Sequence, residues 1–296
     1  NFLFNMAWGD AVIVAPESIE DIASTPIGTG PFTFTDWVQG DRIELTRNAD
    51  YWGEAPALES ATFRFISDPT AAFAAVMAED VDAFIGFPAP ENLPQFEADP
   101  RFQVLVGTTE GETILSTNNQ MPPFDNPLVR EAVAHATDAA TAISLIYGDL
   151  SVPENCPVSR GVFGNDQDFC AQYRPAYDPE KSKELLAELG YSMDNPLETA
   201  LLVWTGGNRQ TLGEVFQAQL AEVGIKASIE IMDIGSLNAR VRQENENTEG
   251  TTGSMDMMTW SWYDPDILYA LWHTPGAYRG YTSPELDAML DDTRVL

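Results

Sequence analysis

Ala200-Leu201-Leu202-Val203-Trp204 is a short uninterrupted apolar run, and Ser228-Ile229-Glu230-Ile231 is a second β-prone run. Between them Leu212, Val215, Phe216, Leu220 and Val223 follow the i, i+3, i+4, i+8, i+11 spacing of one helix face. Gly224 stands where that helix must stop. A strand, a crossover helix and a second strand imply a parallel pair, because a tight hairpin cannot join parallel strands. The stretch therefore predicts an α/β lobe. In such lobes ligands gather at the carboxyl edge of the strands, and the loop Trp204-Thr205-Gly206-Gly207-Asn208-Arg209 leaves that edge.

Working outward, Asp178-Pro179 opens a helix holding Leu185, Leu186 and Leu189 and ending at Gly190. Asp125-Asn126-Pro127 opens another, with Val129, Val133 and Ala136 on one face, and a further helical run carries Ile143 and Ile146. Towards the N-terminus the texture is strand-rich. Phe32–Thr35 and Ile43–Thr46 alternate around the turn signal Gln39-Gly40-Asp41, and Thr62–Ile66 is a third strand. Asp68-Pro69 is a helix cap and first-turn pair leading an Ala-rich run to Ala78. Val81–Phe87 reads as strand again. The lobe change is expected at Ser116–Asn119, giving residues 1–117 and 118–296, in line with about two domains for 296 residues. The opening Asn1-Phe2-Leu3-Phe4-Asn5 reads as the middle of a domain and the end stops inside a helical pattern, so a longer protein is expected.

Composition narrows function. A formal charge of −31, from 46 acids against 15 bases, repels phosphate backbones and anionic lipid, which argues against nucleic-acid or membrane-surface partners. No apolar stretch approaches the roughly 18 residues of a membrane span. Cys156 and Cys170, with 13 residues between them in a loop-like segment, fit a disulfide in an oxidising compartment; two free thiols are the alternative. Such a bridge would contribute about 3 kcal/mol in the chain-entropy account.

Catalytic signals are thin. His135 sits in a helix beside Thr137 and Asp138 and reads as structural, whereas His273 follows Leu271-Trp272 and is a candidate pocket residue. Neither belongs to a nucleophile elbow or a paired-His metal motif. Gly28-Thr29-Gly30 is followed by Pro31-Phe32 and a strand, so it offers no helix N-terminus to a phosphate. No cofactor or metal is implied. The segment Trp260-Ser261-Trp262-Tyr263-Asp264-Pro265-Asp266 is richest in recognition chemistry, with rigid aromatic area beside carboxylates. Its bland reading is a core strand whose aromatics pack before an Asp-Pro helix start. Arg209 could fork onto a carboxylate, or simply be a solvated side chain in a first helical turn, where the helix dipole disfavours it.

Taken in order, several stretches resemble the extracellular solute-binding proteins of ABC importers, family 5, the dipeptide- and oligopeptide-binding group. They are Pro26–Phe32, Arg47-Asn48-Ala49-Asp50-Tyr51-Trp52-Gly53, Asn118–Asp125 with Val129-Arg130-Glu131-Ala132, Tyr177–Lys181 to Glu188–Tyr191, and the Trp260 region with Tyr281–Asp287. The resemblance implies an α/β, two-lobed, periplasmic-binding-protein-like clamp (type II, large peptide-binding subclass), here incomplete. It implies a substrate-binding subunit, not an enzyme, that captures a peptide or amino-acid-derived solute and hands it to a membrane permease. A monomer is implied for the complete protein, in the periplasm or outside the cell, with a lipid anchor at the cell surface as one variant. In the peptide binders an Asp three residues after a Trp holds the ligand amine; here that position after Trp260 is Tyr263, and the first carboxylate is Asp264. An Arg in the loop matching Arg209 holds the ligand carboxylate in dipeptide binders. The expected ligand-binding set is therefore Arg209 and Asn208 for an anionic end, Trp260, Trp262 and Tyr263 as walls, and Asp264 as cationic or hydroxyl anchor. Oligosaccharide capture is the alternative solute class. A hydrolase that has lost its catalytic lobe and a chaperone-like binder are the alternative functions.

Overall fold

The computed structural model describes residues 13–107, 111–206, 208–246, 252–274 and 276–295, together with Met6 and Thr109. The chain forms two compact units, Asn1–Ile85 and Gly86–Leu296. The residues on which the reading of the N-terminus rests, 1–5, lie outside the described ones, as does Gly207 of the Trp204–Arg209 loop.

In the first unit the hairpin signal at Gly40 is realised. Strands β1 (Phe32–Val38), β2 (Arg42–Arg47) and β3 (Ser60–Arg64) form an antiparallel meander, and Gly40 adopts φ 77°, which an L side chain resists. Asp68 caps helix α1 (Pro69–Met77), its Oδ1 accepting from the Ala71 amide at 2.7 Å. Val81–Phe87 forms no strand. Its alternating pattern finds no neighbouring edge among the described residues, and Ile85 is left 93% exposed; a β-prone run becomes a strand only where another strand completes its ladder. The division between the units falls at the end of this run, earlier than the expected boundary at 117.

The reason is β4 (Gly111–Thr117), which belongs to the second unit's sheet. After a short helix α2 (Leu93–Glu97) and β4, the chain passes through helices α3 (Pro127–Ala136), α4 (Ala139–Tyr147), α5 (Gln167–Ala171) and α6 (Pro179–Glu188). Asn126, Asp138, Asp166 and Asp178 cap them, each accepting from a first-turn amide. Next comes the unit read from sequence: β5 (Leu197–Trp204), α7 (Arg209–Glu222) and β6 (Ile225–Met232), with β5 and β6 parallel in register from Leu197–Ile225 to Trp204–Met232. Gly224 takes φ 89°, and a Cβ there would lie 3.0 Å from the Ser192 carbonyl carbon. Helix α8 (Ile234–Glu246) then leads to β7 (Met255–Ser261), followed by α9 (Ile267–Trp272) and α10 (Pro284–Thr293). The sheet order is β4-β7-β5-β6, with β7 parallel to β5 and antiparallel to β4.

Pleating divides the core. Leu201, Val203, Met255 and Met257 join Leu212, Phe216 and Leu220 of α7 and the residues of α3 on one face. Leu202 and Met258 join Leu237 and Val241 of α8 on the other. The expected disulfide is present: Cys156 and Cys170 are bonded, with Cα atoms 5.1 Å apart. Val158 and Val162 of the loop it closes pack with Ile267 and Leu271 on the α8 face.

On the α8 face the sheet meets a buried charge cluster. Arg279 is 1% exposed, and its Nε lies 2.8 Å from Asp256 of β7 while Nη1 lies 3.1 Å from Glu244 of α8. Its other nitrogen donates to the Ser254 carbonyl and hydroxyl. Tyr278 donates to Asp256 at 2.7 Å. Arg279 reaches both carboxylates, and Arg240 also pairs with Glu244 at 3.0 Å, so the cations favour ionisation of Glu244 over that of Asp256. Burial pushes Asp256 up to about 6, against the pull of Arg279 and the Tyr278 hydroxyl. Burial opposes ionisation of Glu244 too, but Arg279 and hydrogen bonds from Arg240, Ser254 and Asn118 outweigh it, and Glu244 lies below the usual range. Removing Arg279 leaves Asp256 without a cation and Glu244 with Arg240 alone, so Arg279→Met in the complete protein should cost about 3–5 kcal/mol in urea unfolding; a loss below about 1 kcal/mol would contradict this placement. Asp256 binds its proton more tightly folded than unfolded. Its contribution to stability is full below about pH 4 and is lost as pH rises through about 6. Denaturation from pH 4 to 7 should show that decline in the wild type and a flatter profile in Asp256→Asn.

Candidate functional site

The parallel strands β5, β6 and β7 end on one edge, at Trp204, Met232 and Ser261. The chain leaves β5 for β6 on one side through α7, then returns past β5 to β7 through α8. The two helices cover opposite faces, so the connections diverge between β5 and β7. That divergence is a topological switch point, the place where open α/β sheets bind ligands. Both segments singled out in the sequence leave these two strands, one after Trp204 and one after Ser261.

At the β5 side, Arg209 is the first residue of α7, half-buried, with its guanidinium 3.6 Å over the Trp204 ring. The indole face offsets the unfavourable helix dipole. Its Nη1 donates to the Gly206 carbonyl at 2.7 Å and its Nε to Thr259 Oγ1 of β7 at 3.4 Å. It therefore bridges the two strands that flank the switch point and is not a solvated side chain. Among the described residues it pairs with no carboxylate. Burial lowers its pKa, with the Tyr147 phenol acting in the opposite sense, and burial raises that of Tyr147. Asn208 precedes the helix, and its carbonyl accepts from Leu212 at 3.0 Å.

At the β7 side, Trp260 and Trp262 pack against Val158, Ile267 and Leu271. Trp260 also meets Tyr278 edge-on, ring centroids 5.2 Å apart. These indoles pack as core residues and still line open space. One cavity of about 300 Å³ runs between them and the α8 side chains Asn238, Arg242 and Asn245. A smaller one, of about 10 Å³, lies between them, Glu112 and Ser159. Tyr263 is 72% exposed. Asp264 is half-buried at the start of α9; its Oδ1 accepts from the Asp266 amide at 2.9 Å and its carbonyl from Ile267 at 3.2 Å. The bland reading of an Asp-Pro helix start thus describes its local contacts. The structure joins Arg209 to Trp204 and Thr259, and Trp260 to Trp262. No hydrogen bond or ion pair joins Asp264 to Arg209 among the described residues.

Sequence reasoning missed Glu112, Ser159, Thr259 and Tyr147. Glu112 lies directly opposite Trp260 in the β4–β7 ladder. Burial pushes its carboxyl up to about 7, aided by the nearby charge of Glu154 and opposed by a Ser159 hydrogen bond and Arg174. The signal in the sequence was one carboxylate in an otherwise uncharged strand, Gly111–Thr117. The histidines lie elsewhere. His135 Nδ1 is 2.7 Å from the Ala176 carbonyl, and His273 stacks on Tyr269 at 4.2 Å with Nε2 3.3 Å from Asp291.

Comparison with known proteins agrees with the resemblance read from sequence. Residues 2–279 match the family described as bacterial extracellular solute-binding proteins, family 5 Middle. Di/tripeptide-binding protein 2 of Pseudomonas aeruginosa is 28% identical over 260 residues, covering 86% of this chain and 46% of that protein. The glutathione-binding protein GsiB of Escherichia coli is 30% identical over 259 residues, covering 84% of this chain and 48% of that one. The chain thus spans about half the length of these curated relatives. The periplasmic binding protein DppA of Helicobacter pylori, solved in complex with peptide STSA, superposes with a TM-score of 0.84 at 26% identity, over 100% of this chain and 59% of its own. The expected fold class, the mixed α/β fold of periplasmic peptide-binding proteins, is therefore the observed one, and the chain belongs to the bacterial extracellular solute-binding proteins, family 5.

Proposed function

We propose that this protein is the solute-capturing component of an ABC importer and takes up a peptide or amino-acid-derived solute, with no chemical step. The observation that carries the reading is Arg209: a half-buried guanidinium at the switch point, oriented by Trp204 and Thr259, with no carboxylate partner among the described residues. A cation set this way is suited to an incoming carboxylate. In this proposal Arg209 and Asn208 hold the anionic end of the solute. Trp260, Trp262 and Tyr263 wall its body, and Asp264 accepts a cationic or hydroxyl group. The second unit supplies one wall of the capture cleft, and differential contacts with the solute favour the closed state. Two relatives whose names give a di/tripeptide and glutathione as ligands support a solute bearing both an amine and a carboxylate. Members of the family are extracellular or periplasmic proteins. We place this one in the periplasm or at the cell surface, held there by a lipid anchor in the latter case, delivering solute as a monomer to a membrane permease.

The test is calorimetry on the complete protein with di- and tripeptides and glutathione. At least one should bind and raise the melting temperature through linkage. Arg209→Ala and Asp264→Asn should each weaken binding by about 1–3 kcal/mol. Unchanged affinity in both variants would refute this assignment of the wall, and hydrolysis of any member of the panel would refute the binding-only reading.

A further inference from the structure

We propose that Glu112 is the cation-accepting pole of the capture wall: its carboxylate receives the ammonium group of the solute in the small cavity it shares with Trp260, Trp262 and Ser159. The inference rests on the solute-capture reading above; it assigns the ammonium to Glu112 and leaves Asp264 the hydroxyl-accepting role.

The placement follows from register. Residues directly opposite in an antiparallel ladder point to the same face, so Glu112 and Trp260 lie side by side on the α8 face of the sheet, near its carboxyl edge. The cysteine loop closes over them. Pro157, Val158 and Ser159 complete the lining, with Trp262, Ile114 and Leu271. The enclosed space, about 10 Å³, has room for one water-sized group, which an ammonium is. Two indoles and a carboxylate are the partners such a cation prefers, through the ring faces and the negative charge together.

The nearby charges leave this position open to a cation. Among the described residues Glu112 forms no ion pair, and its one hydrogen bond is a long one, 3.5 Å from the Ser159 hydroxyl. The charged groups facing it belong to the cysteine loop and the segment after it. Arg160 is bound to Glu154 at 3.4 Å. Arg174 donates to the Glu154 carbonyl and to Asn155. Both guanidiniums are thus occupied around Glu154, whose own carboxylate adds negative charge beside Glu112. The disulfide holds this loop in place, so the cavity is formed before a solute arrives and little ordering is left to oppose binding.

A carboxyl raised to about 7 gives the proposal a signature. At about pH 6.5 a large fraction of Glu112 carries its proton in the unliganded protein. A bound ammonium, which keeps its own proton, requires the carboxylate, so the Glu112 proton leaves to buffer on binding. The experiment is calorimetry on the complete protein at about pH 6.5, in two buffers of different ionisation enthalpy. The probes are the tightest-binding member of a di- and tripeptide panel and its N-acetyl derivative. The wild type should bind the free amine with proton release and the acetylated form weakly. Glu112→Gln should melt as the wild type and bind the free amine about 10–100-fold more weakly, with no proton release and no change for the acetylated probe. Wild-type affinity and proton release in Glu112→Gln, with Arg209→Ala still impaired, would overturn the inference and leave the capture reading intact. Equal loss of both probes in Glu112→Gln would overturn it too, as the mark of a structural role. Failure of every peptide to bind the wild type would instead overturn the capture reading, and this inference with it.

Discussion

The second unit depends on one buried guanidinium. Arg279 lies near the end of the chain, yet it binds Asp256 on β7, Glu244 at the end of α8 and the Ser254 carbonyl. Its own carbonyl is also used, accepting from the Asn119 amide at 2.8 Å, just after β4. Three separate segments converge on this residue. Burying a cation is costly unless it is paired, so the cluster ties those segments together. The backbone bends to meet the demand. Arg279 sits at φ 59° and Gly280 at φ 70°, where a Cβ on Gly280 would come within 2.6 Å of the Gln120 side chain.

That constraint reaches the proposed capture wall through Tyr278. Its hydroxyl is tied to Asp256 and its ring stands edge-on to Trp260. Trp260 in turn separates the two cavities and faces Glu112 across the ladder. The aromatic wall is therefore fixed from behind by charge and from the side by the disulfide loop. Rigid walls lower the entropy lost on binding, which matters more to affinity than added area.

How much of this could be read from the sequence follows from the range of each interaction. The β5-α7-β6 unit, the caps at Asp68, Asn126 and Asp178 and the stop at Gly224 are local devices, written within a few residues of where they act. The disulfide was legible because both cysteines lie in one loop. The pairing of β4 with β7 was not. Thr113 and Thr259, whose hydroxyls meet at 2.9 Å, are 146 residues apart, and no periodicity in either strand names the other. Glu112 was missed for that reason, since its meaning comes from Trp260 opposite it. The split of the compact units at Ile85–Gly86 was hidden for the same reason: the strand pattern ending at Thr117 was visible, but not the sheet it joins. Arg279 was missed because a lone Arg between Tyr278 and Gly280 looks like a loop residue until α8 and β7 close around it. Trp260 and Trp262 were left open between packing and recognition. They pack on one side and line cavities on the other.

The net charge of −31 bears on what such a wall would select. An acidic protein disfavours free anions at long range, although salt confines that field to about 8 Å from the surface. Most of its few cations are held by carboxylates, among them Arg42, Arg101, Arg160, Arg240 and Arg294. Arg209 is spared that pairing among the described residues. A lone guanidinium in such surroundings attracts a carboxylate only at short range. A solute whose carboxylate is accompanied by an ammonium does not meet the long-range penalty, because its net charge is zero. Thr259, which Arg209 touches, and Trp260, which faces Glu112, are successive residues of β7, so their side chains leave opposite faces of the sheet. A solute meeting both Arg209 and Glu112 must reach across the edge of the strand. On the proposed reading the arrangement would favour an elongated zwitterion over a compact ion, and a short peptide is the simplest molecule of that shape.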